Sequence, residues 1–148
     1  MQARDVMTPN PEVLTPDEPV SRAAQLMRDI DVGIIPVVDD RTSMRPVGVI
    51  TDRDIAVRHV ADLHGEQCRV GDHMTRDRLD AVRPDTDVHE VLECMKREQV
   101  RRVLVVDEGD RLVGIIAQAD IARKEGPEHP EHVEEVLERI SEPGRPRR

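Results

Sequence analysis

The 148-residue chain contains no phenylalanine, tryptophan or tyrosine. Its core must therefore be built from Val, Ile, Leu, Met and Ala. Base stacking on aromatic side chains, the usual device of single-strand nucleic-acid binders, is excluded. Basic residues are also in short supply: 22 Lys and Arg against 31 Asp and Glu give a formal net charge of −9. That balance repels a phosphate backbone and argues against a nucleic-acid partner. The two cysteines, Cys68 and Cys94, have neither disulfide-framework nor CxxC spacing and read as reduced thiols. Cys94 falls on the apolar side of a predicted helix, as a small core residue. No apolar run approaches the ~18 residues that span a bilayer. The segment Met1-Gln2-Ala3-Arg4-Asp5 lacks the apolar core of a signal peptide, so a cytoplasmic location is expected. Gly-x-Ser-x-Gly, P-loop and His-Glu-x-x-His motifs and a poised Cys-His pair are all missing. The expectation is a protein that is not an enzyme.

What the chain does carry is an internal repeat. Met7-Thr8 recurs as Met74-Thr75, and Pro16-Asp17 as Pro84-Asp85. Val20, Met27, Val32, Val37, Val38 and Asp39 reappear 68 positions later as Val88, Met95, Val100, Val105, Val106 and Asp107. A loop shorter by two residues changes the offset to 66. That offset carries Arg45, Val47, Gly48, Ile50, Asp54, Ile55 and Ala56 onto Arg111, Val113, Gly114, Ile116, Asp120, Ile121 and Ala122. The expected division is a first repeat over 1–66, a second over 67–126, and a C-terminal helix with a disordered basic tail over 127–148.

Each repeat reads as β-α-β-β-α. An extended lead-in (12–15; 80–83) meets a Pro-Asp turn that starts a helix. Val20, Ala23, Ala24 and Met27 fall at i, i+3, i+4 and i+7, as do Val88, Val91, Leu92 and Met95, which predicts one apolar stripe per helix. The continuous apolar runs 34–38 and 103–106 read as buried strands. A polar hairpin leads to second strands at 47–50 and 112–116, and second helices follow Thr51 and Ala117. One repeat has too little sheet to bury both faces. An α/β pair packed with pseudo-two-fold symmetry is expected.

The strand–helix junctions carry the chemistry. Backbone N–H groups and the positive end of a helix dipole point outward there, and an Asp three residues in can bond a ribose hydroxyl while the N–H groups hold a phosphate. The residues are Thr51-Asp52-Arg53-Asp54 in the first repeat and Ala117-Gln118-Ala119-Asp120 in the second. Together, the Met-Thr start, the strand Ile35-Pro36-Val37-Val38-Asp39 and Gly-x-x-Thr-x-x-Asp-Ile resemble the CBS domain, named after cystathionine beta-synthase. Two in tandem resemble a Bateman module, over roughly 5–124, like the short stand-alone two-CBS proteins of bacteria. The resemblance implies a regulatory module sensing adenosine-containing nucleotides of the AMP, ADP or ATP class, or S-adenosylmethionine, in clefts between the repeats. It implies that Asp54 bonds the ribose, that Thr51 contributes to phosphate or ribose contacts, and that Ile35 and Pro36 lie beside the base. Asp120 is the second-repeat counterpart. There Ala117 lacks the hydroxyl and Leu104 replaces the proline, so the first site is favoured. A bound ligand would bias the angle between repeats only if it binds one arrangement better.

Plainer roles compete for these residues. Thr-x-x-Asp at a helix start also caps it, a contribution of about 1 kcal/mol. Arg53, Arg101 and Arg102 suit phosphate by charge-assisted bonds, or simply a solvated surface. His59, His64, Cys68 and His73 are all potential metal ligands within fifteen residues, yet their spacing matches no zinc signature, and no metal or other cofactor is expected. Val133, Val136, Leu137 and Ile140 form a stripe that suits a dimer contact, or docking of another protein. A homodimer with an unknown effector protein is expected, and no membrane partner. The alternative is an interaction scaffold with degenerate nucleotide sites.

Overall fold

The computed structural model describes residues 1–76, 79–125, 131 and 134. In chain order the elements are α1 (Ala3–Val6), β1 (Thr8–Pro9), α2 (Val20–Ile30), β2 (Ile34–Val38), β3 (Pro46–Thr51) and α3 (Asp52–Asp54), which continues into a π-helical stretch over Ile55–Val60. Then follow α4 (Val70–His73), β4 (Ala81–Val82), α5 (Val88–Glu98), β5 (Arg102–Val106), β6 (Leu112–Ala117) and α6 (Gln118–Glu125). The β-α-β-β-α order of the second repeat is complete. In the first, the lead-in strand shrinks to Leu14, which bridges Val37 in parallel. The stripe Val133, Val136, Leu137 and Ile140 and the basic tail lie outside the described residues. No helix among the described residues is long and apolar enough to cross a membrane.

Helices α2 and α5 repeat each other down to their ends. Each closes on a non-glycine residue in the left-handed region, Asp31 at φ 55° and Gln99 at φ 53°. The buried stripe of α5 is the expected Val88, Val91, Leu92 and Met95, with Cys94 also buried. In α2 the stripe is Val20, Ala23, Leu26 and Met27, and Ala24 faces solvent. The larger Leu26 removes more apolar surface from water than a second alanine would, and it sets the phase of the helix. Strand β2 is buried over Ile35–Val38, whereas β3 and β6 alternate, with Gly48, Ile50, Gly114 and Ile116 facing inward.

Two compact units result, and they are not the two sequence repeats. One holds Pro11–Leu79 with Asp110–Leu112; the other holds Met1–Asn10, Asp80–Gly109 and the chain from Val113. The leading segment of each repeat is thus built into the other repeat's unit. Ala3 and Val6 of α1 pack with Val88, Val91, Val103 and Ile116, and β1 pairs antiparallel with β6, Thr8 opposite Ile115. In the other unit Val70 of α4 and Met74 pack with Leu14, Leu26 and Ile50. Thr75 there exchanges backbone hydrogen bonds with Val49 at 2.7 and 3.0 Å.

This arrangement explains two of the repeated glycines. A Cβ on Gly48 would meet the Thr75 carbonyl oxygen at 2.9 Å and the Met74 Sδ at 3.0 Å; one on Gly114 would collide with the Met7 side chain. Each Met-Thr segment lies across a strand with no room for a side chain beneath it. Because the obstacle at Gly48 is backbone and that at Gly114 a flexible thioether, Gly48→Ala is expected to cost more than Gly114→Ala. Both should fall within the roughly 1–3 kcal/mol of overpacking. Urea titrations followed by circular dichroism check the order.

Candidate ligand-binding site

At the first junction, Thr51 ends β3 and caps α3. Its Oγ1 accepts from the Asp54 N–H at 3.0 Å, and Asp54 Oδ2 accepts from the Thr51 N–H at 3.0 Å. The reciprocal capping box weighed from the sequence is therefore realised. Asp54 does more than cap. Thr75 Oγ1 donates to the same carboxylate, 3.2 Å from each oxygen, and Arg58 Nε stands 3.7 Å from Oδ1. Asp54 as a whole is only 8 % exposed. A ribose hydroxyl arriving here would compete with Thr75 for a carboxylate that already accepts from the Thr51 N–H and the Thr75 hydroxyl. Arg53 is exposed on α3, and its backbone N–H donates to Asp52 Oδ1 at 2.8 Å. Ile35 and Pro36, expected beside the base, lie on β2. Ile35 is 1 % exposed and packs in the core, and Pro36 is buried with its carbonyl accepting from Leu14.

The second junction keeps the backbone of the first and changes its chemistry. The Gln118 N–H donates to the Arg101 carbonyl at 2.8 Å, as the Asp52 N–H does to the Gly33 carbonyl at 3.0 Å. Half the capping box survives: Asp120 Oδ2 accepts from the Ala117 N–H at 3.1 Å, with no hydroxyl to answer it. Asp120 Oδ1 accepts from Arg123 Nη2 at 3.1 Å, in a pair whose side chains are 25 % and 76 % exposed. An open cleft of about 550 Å³ lies here, lined by Arg101, Arg102, Ala117, Gln118, Ala119, Ala122 and Arg123. Arginines thus surround the start of α6, where the first junction carries Gly33 and Asp52. Two participants were missed from the sequence, Thr75 and Arg123. The recurring Met-Thr marked the first, and the i, i+3 spacing from Asp120 marked the second.

The four linker residues weighed as ligands come together. Nδ1 of His59 and Nδ1 of His64 lie 3.3 and 3.2 Å from His73 Nε2. One ring nitrogen from each of the three histidines and the Cys68 Sγ all fall within 4.8 Å of one another. Burial holds the His73 imidazole below the ordinary histidine range, and the His59 and His64 rings act in the same direction.

The caps make a paired prediction. Thr51→Ala should lower stability by about 1 kcal/mol, the usual loss of a capping hydroxyl. Ala117→Thr, which supplies the missing acceptor for the Asp120 N–H, should raise it by a similar amount. Urea midpoints of the two variants against the parent chain measure both.

The CBS domain matches residues 3–59 and 70–126. Hypoxic response protein 1 of Mycobacterium tuberculosis is 37% identical over 127 residues, 86% of this chain and 86% of that protein. The crystal structure of hypoxic response protein I with two coordinated zinc ions is similar at TM-score 0.72 and 35% identity, over 83% of this chain and 98% of that one. CBSX2 in complex with AMP gives TM-score 0.70 at 29% identity, over 83% and 94%. A CBS domain pair in complex with 5-methylthioadenosine and S-adenosyl-L-methionine gives 0.73 at 28% identity, over 86% and 97%. Two matched copies, the Met-Thr segments and the paired strand–helix junctions lead to one conclusion: the chain belongs to the CBS domain family, with two CBS repeats in tandem.

Proposed function

We propose that the chain is a regulatory module for an adenosine-containing phosphate ester, and that the second junction holds the ligand's anionic end. The carrying observation is the cleft of about 550 Å³ at the start of α6, with Arg101, Arg102 and Arg123 among its lining residues. Its size suits a nucleotide. Arginine forks and the N–H groups of a helix start suit phosphate. Asp120 is the ribose partner in this reading. Freeing it means giving up an exposed ion pair with Arg123, worth only about 0–1 kcal/mol. Freeing Asp54 means breaking a buried bond to Thr75. That contrast shifts the expected primary site from Thr51 and Asp54 to the second repeat, with Ala117 leaving space where Thr51 puts a hydroxyl. CBSX2 in its AMP complex and the CBS pair with 5-methylthioadenosine and S-adenosyl-L-methionine support the adenosine class. The arginines favour phosphates over uncharged 5-methylthioadenosine.

Homodimer formation and an effector protein that reads the ligand-bound state belong to the same proposal. The likeness to hypoxic response protein 1 supports a place in a stress response. Metal is a second ligand class with its own support: hypoxic response protein I carries two coordinated zinc ions, and this chain gathers three imidazoles and a thiol.

Thermal unfolding by circular dichroism tests the nucleotide reading. A ligand at about a hundred times its dissociation constant adds about 2.7 kcal/mol and raises the midpoint. AMP, ADP or ATP should raise it more than 5-methylthioadenosine. Arg101→Ala with Arg102→Ala should weaken binding by at least about tenfold, since a charge-assisted bond contributes about 1.5–3 kcal/mol. Asp54→Asn should bind as the parent does. Midpoints unmoved by every adenosine ligand would leave the interaction scaffold as the better reading.

A further inference from the structure

We propose that His59, His64, Cys68 and His73 form a closed four-ligand site for a zinc-class divalent ion, which fastens the 59–73 loop of the first-repeat unit. The first argument is distance. Zinc bonds of about 2.0–2.1 Å to nitrogen at tetrahedral angles place two nitrogens roughly 3.3–3.4 Å apart. The His73 Nε2 separations of 3.3 Å to His59 Nδ1 and 3.2 Å to His64 Nδ1 already match that spacing. With every donor atom within 4.8 Å of the others, closing the set around an ion asks for about 1 Å of adjustment.

The second argument is hydrogen-bond arithmetic. A ring nitrogen offers either one proton or one lone pair. His73 Nε2 is close to two Nδ1 atoms at once and can satisfy only one of them. A cation at the centre accepts all three lone pairs and removes the conflict. His73 is 3 % exposed, and an imidazole ligates a metal in its neutral form.

The third argument concerns what holds the loop. His59 lies in the π-helical stretch and His73 in α4, so two ligands come from helical turns and two from the chain between them. That chain has little core of its own: Leu63 is 91 % exposed and Val60 61 %. Its backbone is nonetheless bent to bring the donors inward, with the His64 N–H on the His59 carbonyl at 3.0 Å and the Cys68 N–H on the Gly65 carbonyl at 3.3 Å. Nearby, the Arg58 guanidinium donates to the carbonyls of His73 and Met74 at 3.4 and 3.3 Å. Three imidazoles and a thiolate suit zinc, and four protein ligands make a closed structural centre with no open position for chemistry. Fixing α4 also fixes Met74-Thr75, the segment that reaches β3 and Asp54.

The test uses the untagged full chain, stripped of metal and titrated with zinc alone in a calorimeter, with cobalt(II) as a spectroscopic substitute. The parent chain should take one equivalent and show tetrahedral cobalt bands with a thiolate-to-cobalt band. His64→Ala, at an exposed position, should weaken zinc binding by at least about tenfold, a direct ligand mattering no less than outer partners whose loss costs about 10–100-fold. Cys68→Ser should abolish the thiolate band while the circular dichroism spectrum stays that of the parent. Zinc should raise the unfolding midpoint of the parent but not of the double variant that combines His64→Ala with Cys68→Ser. A parent chain that binds no more zinc than the double variant, or cobalt spectra indifferent to Cys68→Ser, would overturn the site.

Discussion

The packing of a Met-Thr segment across a glycine-bearing strand is the constraint on which the rest of this structure depends. It occurs twice, Met7-Thr8 on β6 at Gly114 and Met74-Thr75 on β3 at Gly48. Each time the segment belongs to one repeat and the strand to the other. The close approach needs a residue without Cβ. In return it brings a short helix, α1 or α4, whose small apolar residues complete a core made without aromatic side chains. At the first junction the same segment delivers the Thr75 hydroxyl to Asp54.

From one backbone design the two junctions have diverged in charge. The first spends its Asp on structure: Thr51, Thr75 and Arg58 surround Asp54, and Asp52 adds a second carboxylate. The second leaves Asp120 partly exposed in a loosely held ion pair and places Arg101 and Arg102 beside the helix start. A buried, multiply bonded carboxylate stabilises the fold and resists exchange. An exposed one in a weak ion pair is ready to change partners.

Much of this was legible in the sequence, for identifiable reasons. The apolar runs at 34–38 and 103–106 mark strands because continuous burial demands them, and Thr51 and Ala117 mark helix starts because the strand pattern stops there. Where the pattern underdetermines the phase it misleads: Ala24 and Leu26 compete for one face of α2, and only packing decides between them. The repeat showed that Met7 and Met74 are equivalent, but equivalence does not say which strand each covers. The exchange of leading segments therefore became visible only in three dimensions. His59, His64, Cys68 and His73 were visible as potential ligands, but their convergence was hidden for a related reason. Spacings of five, four and five residues match no helix or hairpin ligand pattern. They converge because the chain leaves the π-helical stretch through an i, i+5 turn, with His64 bonded to the His59 carbonyl.

The central claim is that the second junction, not the first, receives the nucleotide. Alanine methyl groups report on it directly, since Ala117, Ala119 and Ala122 line the cleft while Ala56 belongs to the π-helical stretch that follows the first junction. A methyl-labelled sample titrated with AMP and followed by two-dimensional NMR should show shifts concentrated at Ala117, Ala119 and Ala122. Shifts concentrated at Ala56, or none at saturating nucleotide, would contradict the account.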